Sequence, residues 1–340
     1  MSESERRKKR NKALLILILC FLGVIILGIS AVIFTGYYYL NLMKSPKDIK
    51  LEPNPSIIAE EEPLPDEFRD GDAAIARNIA YDNMLSDPDV FNIALAGCDL
   101  GSGNYYPRSD AILVLSLNKR DGKIALVSLS RAVYNSIPGV GNKRLNMAYA
   151  YGGGPLLVQT IEQNYKIDID YYMSVNFDTF STIVDILGGV DIVLTDAEYN
   201  YFANKLADNG ISGYGPGTYR LNGAMALQYV RLRAIDSDRD RTGRQRKLLL
   251  SIFNEFKNCS VSTYMELLNE ILPEIETDMP KRVMISHIVN VPKYVNWPLT
   301  QDIIPYTKHP LINIGGTEYL LIDWEDNVFH LQKLLYPHKF

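Results

Sequence analysis

A run of 28 residues without a charge, 13–40, dominates the hydropathy pattern of this chain. Leu, Ile, Val and Phe fill most of it, and Tyr37, Tyr38 and Tyr39 stand near its end. About 20 apolar residues in helix cross a bilayer, so the pattern predicts a membrane-spanning helix over 13–40 with an interfacial aromatic belt. A cleaved signal peptide has an apolar region of about 7–15 residues and a small-residue cleavage site. This run is longer, and Gly28-Ile29-Ser30-Ala31 makes a poor site. Residues 41–65 read as a stalk, because Pro46, Pro53, Pro55, Pro63 and Pro65 break any helix and Glu60-Glu61-Glu62 is solvated. Residues 66–86 suit a short polar helix.

From Phe91 onward the pattern is that of a folded domain, taken here as 91–340, with 41–90 as stalk and lead-in. Short apolar runs at 91–97, 111–118 and 123–130 read as buried strands, the last two joined at Asp121-Gly122 as a hairpin. Helical spacing follows at 145–151, and Pro155 opens a second helix to about 165. A strand is expected at 171–176, then a helix over 177–187 ending at Gly188-Gly189, then a strand at 190–194. The Tyr- and Gly-rich stretch 196–219 reads as a loop with one short helix. Helices are expected at 222–231, with Asn222 as N-cap, and at 242–258. The last third predicts helices near 261–275, 281–290 and 326–335, and strands near 302–307 and 317–322. Alternating strands and helices define an α/β layered domain.

Charge sharpens this picture. The net charge of −5 divides unequally: residues 1–12 carry +4, through Arg6, Arg7, Lys8, Lys9, Arg10 and Lys12, and the remainder −9. Basic residues before the span place the N-terminus in the cytoplasm and the C-terminal domain outside the cell membrane. An acidic body argues against nucleic acid as a partner. Three cysteines are too few for a disulfide scaffold; Cys98 and Cys259 are the exterior pair, and no zinc-type cluster is present.

Three polar loops stand at strand ends. Asp99 and Asp110 flank a Gly-rich loop, and two readings stand: a hard-cation–phosphate site, or a turn whose Asp side chains bond the backbone. Arg131, directly after a strand, is either an anion ligand or half of a structural ion pair. The run containing Arg231, Arg233, Arg239, Arg241, Arg244, Gln245 and Arg246 is either a polyanion site or a solvated face balanced by Asp236, Asp238 and Asp240. Arg241 and Gln245 share one helix face. Together these residues are what a pyrophosphate–Mg²⁺ complex needs. No P-loop and no Gly-x-Ser-x-Gly nucleophile motif is present, and the four histidines all lie in the C-terminal part.

Six segments in order carry a family resemblance: NIALAGCD at 92–99, RSDAILVLSLN at 108–118, KIALVSLSR at 123–131, then 143–162, 170–192 and 221–247. The chain resembles the LytR-CpsA-Psr family of cell-envelope phosphotransferases. The resemblance implies a central mixed sheet flanked by helices, and an apolar tunnel for a prenyl tail that helix 177–187 would line. It implies transfer of a glycopolymer, such as teichoic acid or capsule, from a polyprenyl-pyrophosphate carrier onto peptidoglycan. By motif match, Asp99 and Asp110 would hold Mg²⁺. Arg108, Arg131, Arg231 and Arg233 would act in catalysis and, with Arg241 and Gln245, bind the pyrophosphate. One position departs from the family: Ser130-Arg131-Ala132 replaces the usual Pro-Arg-Asp. That change brings in another reading, a non-catalytic polyprenyl-lipid or wall-polymer binding module; an exterior pyrophosphatase, with water as acceptor, is a third.

Overall fold

The computed structural model describes residues 37, 38, 40–42, 51–53, 84–98 and 105–340, except 212, 233, 236–237, 295, 310 and 315–316. The chain divides into two units, Met1–Met43 and Lys44–Phe340. In the first, Asn41 N donates to Tyr37 O and Tyr38 O and closes a helical turn. Among the described residues no helix is long and apolar enough to cross a membrane. The basic tail, the run 13–36 and most of the stalk lie outside them.

In the second unit, β1 (Val90–Cys98), β2 (Ser109–Asn118) and β3 (Lys123–Leu129) form an antiparallel meander. A bulge at Gly97/Cys98 bends the end of β1. β4 (Tyr134–Ile137) and β5 (Gly141–Arg144) make a small hairpin, followed by α1 (Leu145–Tyr165). β6 (Tyr171–Asn176) runs parallel to β1 and leads into α2 (Phe177–Ile186), whose N-cap Asn176 accepts from Thr179 N. β7 (Val190–Leu194), α3 (Asp196–Asp208), β8 (Gly217–Leu221) and α4 (Gly223–Arg231) come next. Then follow α5 (Asp238–Asn258), α6 (Val261–Ile271), β9 (Glu276–Thr277) and α7 (Lys281–Tyr294). β10 (Leu299–Ile304), β11 (Leu311–Ile314), β12 (Thr317–Leu320) and α8 (Trp324–Leu335) complete the domain.

The main sheet has the order β10-β3-β2-β1-β6-β9, with β1–β6 and β3–β10 parallel and the other pairs antiparallel. The α/β domain with a central mixed sheet flanked by helices is therefore present. Strand alternation gives the sheet two apolar faces. On one, Ala94, Ala96, Ile112, Val114 and Val127 join Leu157 and Ile161 of α1 and Val328 and Leu331 of α8 in one buried core. On the other, Ala111, Leu113 and Leu126 join Phe177, Phe180 and Leu249. A separate core of Val190, Ile192, Leu194, Phe202, Leu206, Leu221 and Tyr229 binds the β7–β8 hairpin to α3 and α4.

The two helices expected at 145–151 and from Pro155 are both present, as α1 broken at Gly152 (φ −158°) and Gly153 (φ +63°, ψ −157°). Other expectations need correction. Residues 196–219 are not mainly loop. α3 spans 13 residues because Thr195 and Glu198 form a reciprocal capping box and Phe202 and Leu206 anchor it. The strand β8 alternates, with Tyr219 and Leu221 buried and Thr218 and Arg220 exposed, and the short strands β4, β5, β9 and β11 pair through backbone ladders. Residues 84–86 of the expected lead-in helix are extended instead, Leu85 bridging Ile167.

The closest backbone approach in the domain's wall is at Gly223. A Cβ there would stand 2.2 Å from Ser181 O of α2. Gly223→Ala is expected to lower unfolding stability by about 1–3 kcal/mol, the usual cost of overpacking. A denaturant midpoint equal to the parent's would contradict this packing.

Candidate functional site

Strand ends converge at one edge of the sheet. Cys98 of β1 pairs with Ser109 of β2 and Asn176 of β6, and Leu129 of β3 pairs with Ile304 of β10. The carboxyl ends of parallel strands are where open α/β sheets bind ligands. Asp110 is the second residue of β2, and Arg131 stands two residues beyond β3. Arg131 Nη1 donates to Asp110 Oδ1 at 2.5 Å, with the two side chains 19% and 16% exposed. The backbone at Arg131 is pinned on both sides. Ser130 N donates to Ile304 O at 2.8 Å, and Asn146 N donates to Arg131 O at 3.3 Å.

α5 supplies the rest. Arg241 Nη2 and Gln245 Nε2, one turn apart, each donate to Asp110 O at 3.4 Å, and Arg241 Nη1 lies 4.0 Å from Asp110 Oδ2. Arg241 is 2% exposed, so its charge is held in a largely dry setting. Arg231 ends α4 and is exposed, its guanidinium 5.4 Å from the Phe177 ring centre. Arg108 is half-buried two residues before Asp110. Asp99 and Arg233 lie outside the described residues. The structure thus gathers Asp110, Arg131, Arg241 and Gln245 directly, and places Arg108 and Arg231 beside Asp110 and Phe177 respectively.

The remaining arginines of α5 turn elsewhere. Arg244 Nη2 donates to Leu232 O at 2.7 Å and Nη1 to Glu198 Oε1 at 3.5 Å, all within a buried setting. Arg239 donates to the carbonyls of Pro305 and Tyr306 at 2.8 and 3.0 Å, closing the end of β10. Arg246 is half-buried, and burial lowers its pKa against the pull of Asp302. A solvated face balanced by its own Asp residues therefore does not describe this run.

An apolar cavity of about 240 Å³ adjoins the charged cluster. Leu95, Gly97, Ala111, Leu113, Met173 and Val175 form its sheet wall. Phe177, Phe180 and Ile183 of α2 and Gln245, Leu248, Leu249 and Ile252 of α5 form the other. Gln245 touches both regions, and Ala111 of the cavity wall directly follows Asp110 of the cluster. A second cavity of about 660 Å³ shares Leu95, Met173 and Leu249 with the first and continues along the same face.

Behind the end of β1 lies a network that sequence reasoning missed. The 8% exposed carboxylate of Glu276 accepts from Tyr172 Oη at 2.6 Å and from Tyr149 Oη at 2.9 Å. Burial raises both tyrosine pKa values, helped by the Glu276 charge, so both hydroxyls remain donors. The signal was present as Gly152-Gly153-Gly154. A Cβ at Gly153 would lie 2.6 Å from Tyr106, and one at Gly154 2.1 Å from Tyr172, so the break in α1 seats both rings. Among the described residues no disulfide joins Cys98 to Cys259.

The site is thus a cluster of charged side chains at the strand ends of an α/β sheet, next to apolar cavities on one sheet face. The chain belongs to the LytR_cpsA_psr family, whose profile matches residues 67–324. It is 29% identical over 280 residues to the polyisoprenyl-teichoic acid–peptidoglycan teichoic acid transferase TagU of Bacillus subtilis, covering 81% of each chain. Among solved structures, TagT bound to LI-WTA superposes with a TM-score of 0.61 at 25% identity, covering 74% of this chain and 92% of that one. TagT with bound octaprenyl pyrophosphate lipid superposes at 0.57 and 23%, with the same coverage.

The division of α5 has a direct consequence. Glu198→Ala removes a buried carboxylate partner of Arg244 together with the capping box of α3, and is expected to cost about 3–5 kcal/mol of stability. Arg231→Ala, at the exposed edge, should change stability by less than about 1 kcal/mol. Equal thermal shifts for the two variants would contradict the assignment of Arg244 to structure.

Proposed function

We propose that this chain is a membrane-anchored transferase that moves a glycopolymer from a polyprenyl-pyrophosphate carrier onto peptidoglycan, outside the cell membrane. The observation that carries the reading is the junction of the Asp110–Arg131–Arg241 cluster with the apolar cavity, through Ala111 and Gln245. One end suits a pyrophosphate and the other a prenyl chain. The family membership and the named activity of TagU support the same reaction. Residues 1–12 are the cytoplasmic tail, 13–40 the span, 41–90 the stalk and 91–340 the catalytic domain.

In the reaction, an acceptor hydroxyl oxygen on peptidoglycan bonds to the phosphorus that carries the glycan. The bond from that phosphorus to the bridging oxygen breaks, and polyprenyl monophosphate leaves with the electron pair. The hydroxyl proton is released to the leaving phosphate or to water, and a phosphodiester remains. Such chemistry asks the protein for positioning and charge neutralisation. Arg131 and Arg241 converge on one place, and their forked donors match phosphate oxygens. Arg108 and Arg231 would extend the cation set, with Arg233 assigned to it by motif match alone.

A Mg²⁺ ion fits the donor chemistry. Among the described residues no group of three or more His, Cys, Asp or Glu side chains comes together, and Mg²⁺ is commonly held by one or two carboxylates with phosphate oxygens. Asp110, with Asp99, would hold the ion, which would supply further neutralisation of the pyrophosphate. Ala132 presents a methyl group where a carboxylate is usual, and its carbonyl accepts from Leu320 N at 2.8 Å. In this proposal no base is needed at that position. The binding-module reading rests on the same residue and predicts lipid binding without turnover.

The test is the full chain in detergent with a polyprenyl-pyrophosphate glycan and a peptidoglycan oligomer. Mass spectrometry should find a phosphodiester adduct that disappears with EDTA. Arg131→Ala should lower its rate by about 10²–10³-fold, the scale of losing one charge-stabilising donor. Full activity in Arg131→Ala contradicts the site. Adduct formed only by Ala132→Asp would establish the binding-module reading instead, and free glycosyl phosphate without adduct would establish hydrolysis.

A further inference from the structure

The apolar space ends far from the charged cluster. Along β2, Asp110 and Leu117 are seven residues apart, about 23 Å at 3.3 Å per residue. The larger cavity reaches that far end, where Leu117, Ile124 and Leu299 line it. There it opens between the C-terminal turn of α5 and α7, beside Lys257 and Ile288.

α7 flanks this opening and has an unusual outer face. Met284 and Tyr294 are buried, so the helix is seated on the domain. Ile285, Ile288 and Val289 point outward at 41%, 46% and 70% exposure. Their i, i+3, i+4 spacing makes one continuous stripe. Lys281, Arg282 and Lys293 are also exposed, and α7 contains no acidic residue. The preceding Asp278 accepts from Tyr172 N. In a body of net charge −9, a helix with three basic and no acidic residues is a local inversion. An exposed apolar stripe edged by basic residues is the pattern of a helix lying in a bilayer interface.

We infer that α7 is a membrane-docking helix: its Ile285–Ile288–Val289 face lies in the headgroup region of an anionic bilayer and sets the open end of the apolar cavity against the lipid. A polyprenyl tail then passes between membrane and cavity without crossing water, and the charged end faces away from the bilayer. This inference rests on the reading of the cavity as a prenyl site. The partner it commits to is an anionic lipid surface. The basic residues favour that over a neutral one, at about fivefold in binding per Lys or Arg near the surface.

The test uses the full chain reconstituted in phosphatidylcholine vesicles with and without phosphatidylglycerol. Hydrogen exchange over 281–294 should slow when phosphatidylglycerol is present. The double variant Ile285→Glu/Val289→Glu alters only exposed positions and should abolish that slowing. It should also lower transfer of a bilayer-presented polyprenyl-pyrophosphate glycan by about tenfold or more, while leaving transfer from detergent micelles unchanged. Exchange indifferent to phosphatidylglycerol, or a variant as active as the parent on bilayer substrate, overturns the docking. Protection that rises with protein density in either vesicle assigns the face to a second copy and overturns it too. Failure of the parent chain to bind polyprenyl pyrophosphate in micelles overturns the cavity reading itself, and is distinguishable because α7 exchange is measured separately.

Discussion

Asp110 is the fixed point of this site. Its carboxylate takes Arg131, its carbonyl takes Arg241 and Gln245, and its neighbour Ala111 begins the apolar wall. Partly buried charges are costly to hold, and the cost falls only when partners are placed by rigid backbone. Here the residues come from three elements: Asp110 from β2, Arg131 from the turn after β3, and Arg241 and Gln245 from the start of α5.

α5 does several jobs through helical geometry alone. One face presents Arg241 and Gln245 to Asp110, and further along Leu248, Leu249 and Ile252 line the cavity. Another sends Arg244 inward to Glu198 and Leu232, tying the helix to the β7–β8 assembly. A third sends Arg239 to the carbonyls beyond β10. The charged cluster and the cavity wall therefore share one helix, and a shift of α5 moves both. The tyrosine–Glu276 network ties Tyr149 of α1, Tyr172 of β6 and Glu276 of β9 together.

Much of this was legible in the residues. Apolar runs with turn signals marked β1, β2, β3, β6 and β7, because buried strands need unbroken hydrophobicity. Asn222 and the Gly188-Gly189 pair marked helix ends through capping chemistry. The strands β4, β5, β9 and β11 were not legible, since two to four residues are too few to show a side-chain period. α3 was hidden by its Tyr, Asn and Lys content, although Thr195 and Glu198 were there to signal it. For the site, spacing placed Arg241 with Gln245 but gave no reason to separate Arg244 and Arg239 from them. That separation depends on tertiary partners, Glu198 and the 305–307 carbonyls, which no local pattern encodes. Glu276 was invisible for the same reason: its partners lie more than 100 residues away in sequence.

The central claim is that one ligand occupies both the cationic edge and the apolar cavity. An experimental structure of the chain with octaprenyl pyrophosphate tests it most directly. The account predicts the pyrophosphate against Arg131 and Arg241, beside Asp110, and the prenyl chain between the sheet and α2 and α5, running toward α7. A head group bound elsewhere, or a chain lying outside the space between Leu113 and Leu249, would contradict it.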